Sequence, residues 1–156
     1  MHKYLAHEKN HYFLHNLYKY LTIVNYIIID GDHMGTLKVL QPQEVEVYYL
    51  LPAIRKHLAV ALKSQGNDQR TIAKYLGLTE AAISQYMSGK RGHEAPLPKD
   101  FVERITQVAA TITDEKTAYA SLQQLMQVAN ETRVLCDIHT RMDKSVPQHC
   151  DICFKK

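Results

Sequence analysis

The sequence predicts an all-α protein: a helix-turn-helix bundle, then a helical pair, then a short tail of Cys and His. Three observations carry this. Apolar residues recur at spacings of three and four in successive stretches from Pro42 onward, and no two-residue alternation of useful length follows Met34. Capping residues and glycines stand where those stretches should start and stop. All three cysteines fall within the last 21 residues, at and beyond the end of the last periodic stretch.

A chain of 156 residues suffices for one compact core or two small ones. Its 19 Lys and Arg against 16 Asp and Glu leave a formal charge of only +3, so attraction to a polyanion has to come from a local patch. Three cysteines cannot close a set of disulfides, and no N-terminal stretch has the form of a secretory signal, so a reducing, cytoplasmic location is expected. The longest apolar stretch, Tyr20 to Asp30, is interrupted by Thr22 and Asn25 and falls well short of the roughly 20 apolar residues a spanning helix needs. No membrane partner is expected.

Residues 1–33 stand apart in composition. They hold five of the ten Tyr and five of the nine His, and no Arg, Pro, Ser, Gln or Cys. They read as upstream sequence translated in frame, with Met34 as the expected true start. The alternative is an accessory helix over Tyr12 to Ile29, where Leu14, Leu17, Leu21, Val24 and Ile28 recur at helical spacing. His2, His7, His11 and His15 are read as bystanders of that bias.

Residues 41–98 form the first unit. Pro42 suits a first helical position and Gly66 lies just past a helix end. Between them Leu50, Ile54, Leu58 and Leu62 recur every four residues, so one face is buried; Pro52 should kink this stretch or divide it in two. "NDQRTIAKYLGLTEAAISQYMSGKRG", Asn67 to Gly92, then carries two short helices. Asn67 is the expected cap of the first, with Ile72, Ala73 and Leu76 facing inward. Gly77 makes a left-handed turn, and Thr79 caps the second, which buries Ala82, Ile83 and Tyr86. A small Ala73 lets the second helix cross, and Leu78 and Ile83 plug the angle between the two.

What remains on the second helix is polar and faces out: Glu80, Ser84, Gln85 and Ser88, followed by Lys90 and Arg91. Such a helix suits the major groove of double-stranded DNA. Gln85 can pair bidentately with adenine, Glu80 can accept from cytosine N4, and the methyl of Ala81 can touch a thymine methyl. Arg70, Lys74, Lys90 and Arg91 are placed for phosphate, and set affinity and salt dependence more than sequence choice.

The stretch "VYYLLPAIRKHLAVALKSQGNDQRTIAKYLGLTEAAISQYMSGKRG" resembles transcriptional regulators of the Cro/C1 (XRE-type) helix-turn-helix class, in particular a subfamily with a "LLPAIR" helix ahead of the recognition segment. The likeness covers Gln43 to Gly92, and members often carry a short C-terminal cysteine motif. It implies that Gln69 to Leu76 is the positioning helix and that Glu80, Ala81, Gln85 and Arg91 lie nearest DNA. Residues 1–33 have no counterpart in that pattern.

After "GHEAPLPKD", residues 99–135 carry two helical patterns: Phe101, Val102, Ile105, Val108 and Ile112, then Leu122, Leu125, Met126, Ala129 and Val134. Thr113 is the candidate cap between them. One recognition helix reads too few base pairs for a useful specificity ratio, so a homodimer on a pseudo-palindrome is expected, with the apolar faces of residues 101–135 as its surface. The bland reading is that these faces cap the core.

Residues 136–156 form the tail, Cys136-x2-His139-x10-Cys150-x2-Cys153. Cys136 and His139 share a helical face, and Cys150 and Cys153 form a Cys-x-x-Cys turn, so the four can close a tetrahedral metal site. His149 is the spare ligand. Zinc is slightly preferred on geometry; an iron–sulfur cluster or a bare Cys150/Cys153 disulfide switch are the alternatives. No phosphate-binding loop, nucleophile elbow or open metal position points to an enzyme, and no small-molecule substrate is evident. The function expected is DNA-binding transcription regulation; the alternative is an antitoxin-like adaptor whose helix pair binds a protein partner, with the zinc tail as a staple.

Overall fold

The computed structural model describes residues 40–154, and both readings of residues 1–33 lie outside them. Among the described residues there are six helices and no strand. The first, α1, runs on without a break through an α-helical turn Pro42–Val45, a wider π-helical stretch Glu46–Leu50 and an α-helix Leu51–Ser64. Then come α2 (Gln69–Leu76), α3 (Glu80–Met87), α4 (Lys99–Ala109), α5 (Glu115–Glu131) and α6 (Val134–Met142), with a last 3-10 turn at Ile152–Phe154. No described helix is long and apolar enough to cross a membrane.

Pro52 does not divide α1 in two. It falls in the first turn of the Leu51–Ser64 piece, and the turn before it is widened, with Leu51 N–H donating to the Glu46 carbonyl five residues back. A π turn lets a helix absorb such a residue and continue. Leu50, Ile54, Leu58 and Leu62 are all fully buried, as their spacing predicts.

Two caps shift by one residue from their expected places. Asp68, not Asn67, caps α2, accepting from Thr71 N–H at 2.7 Å, while Asn67 Nδ2 donates back to the Leu62 carbonyl at the end of α1. Asp114, not Thr113, caps α5, accepting from Thr117 N–H at 2.7 Å as Thr117 Oγ1 takes the Asp114 N–H. In each case the carboxylate is the stronger acceptor, and it completes the charge the helix start favours. The Thr71 and Thr117 bonds hold both carboxyls below the usual aspartate range. A depressed folded-state value means that these caps contribute stability at neutral pH, and that it is lost as pH falls through their lowered range.

The pattern from Leu122 to Val134 is not one helix. It breaks at Arg133, which adopts a left-handed φ of 65°, and α6 restarts at Val134. Cys136 and His139 therefore lie in the body of a helix, and the irregular tail begins only after Met142.

One core takes residues from every helix: Leu58 from α1, Ile72 from α2, Ile83 and Tyr86 from α3, Ile105 from α4, Leu125 from α5 and Ile138 from α6. The apolar residues Phe101, Ile105, Ile112, Leu122, Leu125 and Ala129, expected to face a second copy, are buried within it. Tyr86 is 1% exposed and its hydroxyl is buried without a hydrogen-bond partner. Tyr86→Phe is therefore expected to raise stability by up to about 1 kcal/mol, since an unpaired buried hydroxyl is costly. Urea unfolding checks this, and a lower midpoint for the variant would refute it.

Candidate nucleic-acid interface and cysteine tail

The turn between α2 and α3 is built on Gly77, at φ 62° and ψ 39°. Gly77 N–H donates to Lys74 O and Leu78 N–H to Ala73 O at 2.9 Å, which closes the end of α2 and sends the chain straight into α3. Thr79 Oγ1 accepts from Ala82 N–H at 3.1 Å and caps α3 as expected. Because Ile83 and Tyr86 go to the core, Glu80, Ala81, Ser84 and Gln85 are left exposed together on the opposite side of α3, with Thr79 exposed at its start.

A tether joins the two helices at their starts. Gln69 Nε2 donates to the Glu80 carbonyl at 2.7 Å, so the first turn of α2 fixes where α3 begins. Periodicity does not weigh an isolated polar residue of this kind, and sequence reasoning gave Gln69 no role beyond opening α2.

The basic residues fall in two places. Arg70 is exposed in the first turn of α2, and its charge and that of Lys63 both act on Asp68, behind the Thr71 bonds, to favour its carboxylate. Lys63 was not singled out from the sequence. Lys74, at the other end of α2, lies 3.9 Å from Glu115 Oε1, with both side chains exposed, so the pair contributes little and leaves Lys74 available to another anion. Lys90 and Arg91 follow α3, and the Arg91 guanidinium stands over the Tyr86 ring at 5.4 Å from its centroid.

The tail does not assemble the expected four-ligand set. Among the described residues no three His, Cys, Asp or Glu side chains stand together as a group able to hold a metal ion. His139 turns to Leu40: its Nε2 lies 2.8 Å from the Leu40 carbonyl, while Leu40 N–H donates to Asp143 Oδ2 at 2.6 Å. A carbonyl only accepts, so Nε2 carries a proton, and in the neutral ring the lone pair is on Nδ1. The Cys150 end is held by Arg133, which donates to the Cys150 carbonyl at 3.1 Å and stacks on Phe154 at 4.7 Å. His149 adopts a left-handed φ of 65° just before Cys150.

Cys136 lies within the electrostatic reach of Arg133, Cys150 and Cys153. Burial is the main cause that pushes its thiol up; Arg133 opposes this, and the two tail thiols add to it. All three cysteines are free thiols.

No protein-family model matches the chain, and neither a curated protein nor a solved structure matches it. The Cro/C1 likeness therefore rests on the residues from Gln43 to Gly92 themselves.

Proposed function

We propose that the protein is a sequence-specific DNA-binding transcriptional regulator of the Cro/C1 helix-turn-helix type. The observation that carries this reading is α3: capped by Thr79, fixed at its start by Gln69, packed through Ile83 and Tyr86, and exposing Glu80, Ala81, Ser84 and Gln85. That is the arrangement a duplex-reading helix needs, polar side chains on a rigid support. Arg70, Lys74, Lys90 and Arg91 supply the phosphate contacts in this reading.

Gln85→Ala is expected to abolish preference for the cognate site while keeping salt-sensitive binding to other duplexes, a loss of about 1–3 kcal/mol of discrimination. Competition binding between selected and scrambled duplexes measures it. An equal loss on both would remove Gln85 from base readout.

A homodimer on a pseudo-palindrome accompanies this reading. Since Phe101 and Ile105 of α4 and Leu122 and Leu125 of α5 are buried in the chain's own core, the two-fold contact we propose uses other surface.

We also propose a metal role for Cys136, His139, Cys150 and Cys153, with zinc slightly favoured over an iron–sulfur cluster. The Leu40 carbonyl supports it, because histidine ligands commonly donate their second ring N–H to such a group while the other nitrogen ligates. Loading requires the segment with Cys150 and Cys153 to close on α6. Protein purified without oxygen is expected to contain one zinc per chain and no colour, and the Cys150→Ser, Cys153→Ser double variant is expected to lose it. Visible absorbance with iron and sulfide would replace zinc by a cluster, and metal content unchanged in the variant would reject the site.

A further inference from the structure

We infer that Arg91 is a preset contact for a DNA backbone phosphate, held by the Tyr86 ring and by the seating of Gly92 on α1; this rests on the DNA-binding reading above. The loop that follows α3 is anchored at both ends. At its start Gly89 N–H donates to Tyr86 O and Lys90 N–H to Gln85 O, which closes the helix. At its end Gly92 is buried between the exposed Arg91 and His93.

The seat at Gly92 admits no side chain. A Cβ there would stand 2.6 Å from the Pro52 carbonyl oxygen and 3.2 Å from Lys56 Cβ, and the residue has a φ of 72°. The obstructing atom is backbone inside α1, at a proline whose ring fixes its own φ, so it cannot swing aside as a side chain would. Only glycine brings the loop down onto α1 at this point.

Arg91 lies between these anchors, directly before the seat. Tyr86 is sunk in the core with its hydroxyl unpartnered, and its ring receives the Arg91 guanidinium at 5.4 Å. A planar guanidinium can stack on a ring while its edge N–H groups stay available for a second partner, and phosphate oxygens match that fork. A long side chain already held in place loses less rotamer freedom when it binds. Tyr86 and Gly92 are thus positioning residues for a contact that is indifferent to sequence.

The test is the affinity of the full-length chain for a random-sequence duplex across a salt series, for wild type, Arg91→Ala, Gly92→Ala and the double variant. Arg91→Ala is expected to lower the log–log salt slope by about 1. Gly92→Ala is expected to move slope and affinity in the same direction, with the double variant no weaker than Arg91→Ala alone, because Gly92 acts through Arg91. Wild-type binding by Gly92→Ala, or losses that add in the double variant, overturns the inference. Should Gly92→Ala fail to fold, Arg91→Lys carries the test: it keeps the charge without the planar fork, and is expected to bind more weakly than wild type at nearly the same slope. Undiminished affinity of Arg91→Lys overturns the inference. If wild type binds no duplex at all, the DNA reading falls and this inference with it; if it binds while the losses add, only the inference falls.

Discussion

Replacing Leu125 with Ala is expected to destabilise the chain by about 2–5 kcal/mol, the cost of emptying a well-packed leucine site. Leu125 is fully buried in α5, 42 residues beyond Ile83 of α3, yet both belong to the same core. The loss should therefore melt α3 and α5 together, in one transition followed equally by a probe on either helix. α3 packs on α1 and α2, and these in turn pack on the C-terminal helices, α2 on α5 and α1 on both α4 and α5, so the support of α3 runs through them. Two transitions, with only the C-terminal helices weakened, would show that residues 99–135 form an independent unit.

Replacing Arg70, Lys90 and Arg91 together with Ala is expected to weaken binding to every duplex on the order of a hundredfold at moderate salt, and to lower the log–log salt slope by about 2.7, or 0.9 for each of three phosphates. The first of these residues lies in the opening turn of α2 and the other two follow α3, so they flank the exposed side chains of α3 along the chain. Preference among sequences should survive, because Glu80, Ala81 and Gln85 remain. If the triple variant kept the wild-type slope, these residues would not be the phosphate contacts, and the groove-facing assignment of α3 would lose its electrostatic support. If preference disappeared with affinity, the separation of positioning from reading would be wrong.

The helix-turn-helix was legible in the sequence because its constraints are local. A left-handed turn asks for Gly77, a helix start asks for Thr79, and burial at three- and four-residue spacing picks out Ile72, Leu76, Ile83 and Tyr86; the structure places all of them accordingly. At Pro52 the sequence marks an irregularity, a kink or a division, without its form: the structure carries the helix on through a widened turn at Glu46–Leu50. Asn67 and Asp68 are adjacent residues that both cap well, and sequence alone does not rank them.

The tail was harder for a different reason. Spacing puts Cys136 and His139 one turn apart on a helix, but it says nothing of Leu40, 99 residues before His139, whose carbonyl accepts a hydrogen bond from His139 Nε2. Nor does spacing show that Arg133 reaches the Cys150 carbonyl and the Phe154 ring. Contacts between distant segments decide which way such side chains turn. The tether from Gln69 to Glu80 and the approach of Gly92 to Pro52 escaped the sequence on the same ground.

The central claim is that α3 reads base sequence, and the most direct measurement is selection of bound duplexes from a random pool by the full-length protein. The account predicts an enriched inverted repeat with half-sites about one helical turn apart, ~34 Å. It also predicts that Gln85→Ala, carried through the same selection, retains binding but loses the enriched positions. A pool that stays random while the wild-type protein binds it would contradict the account.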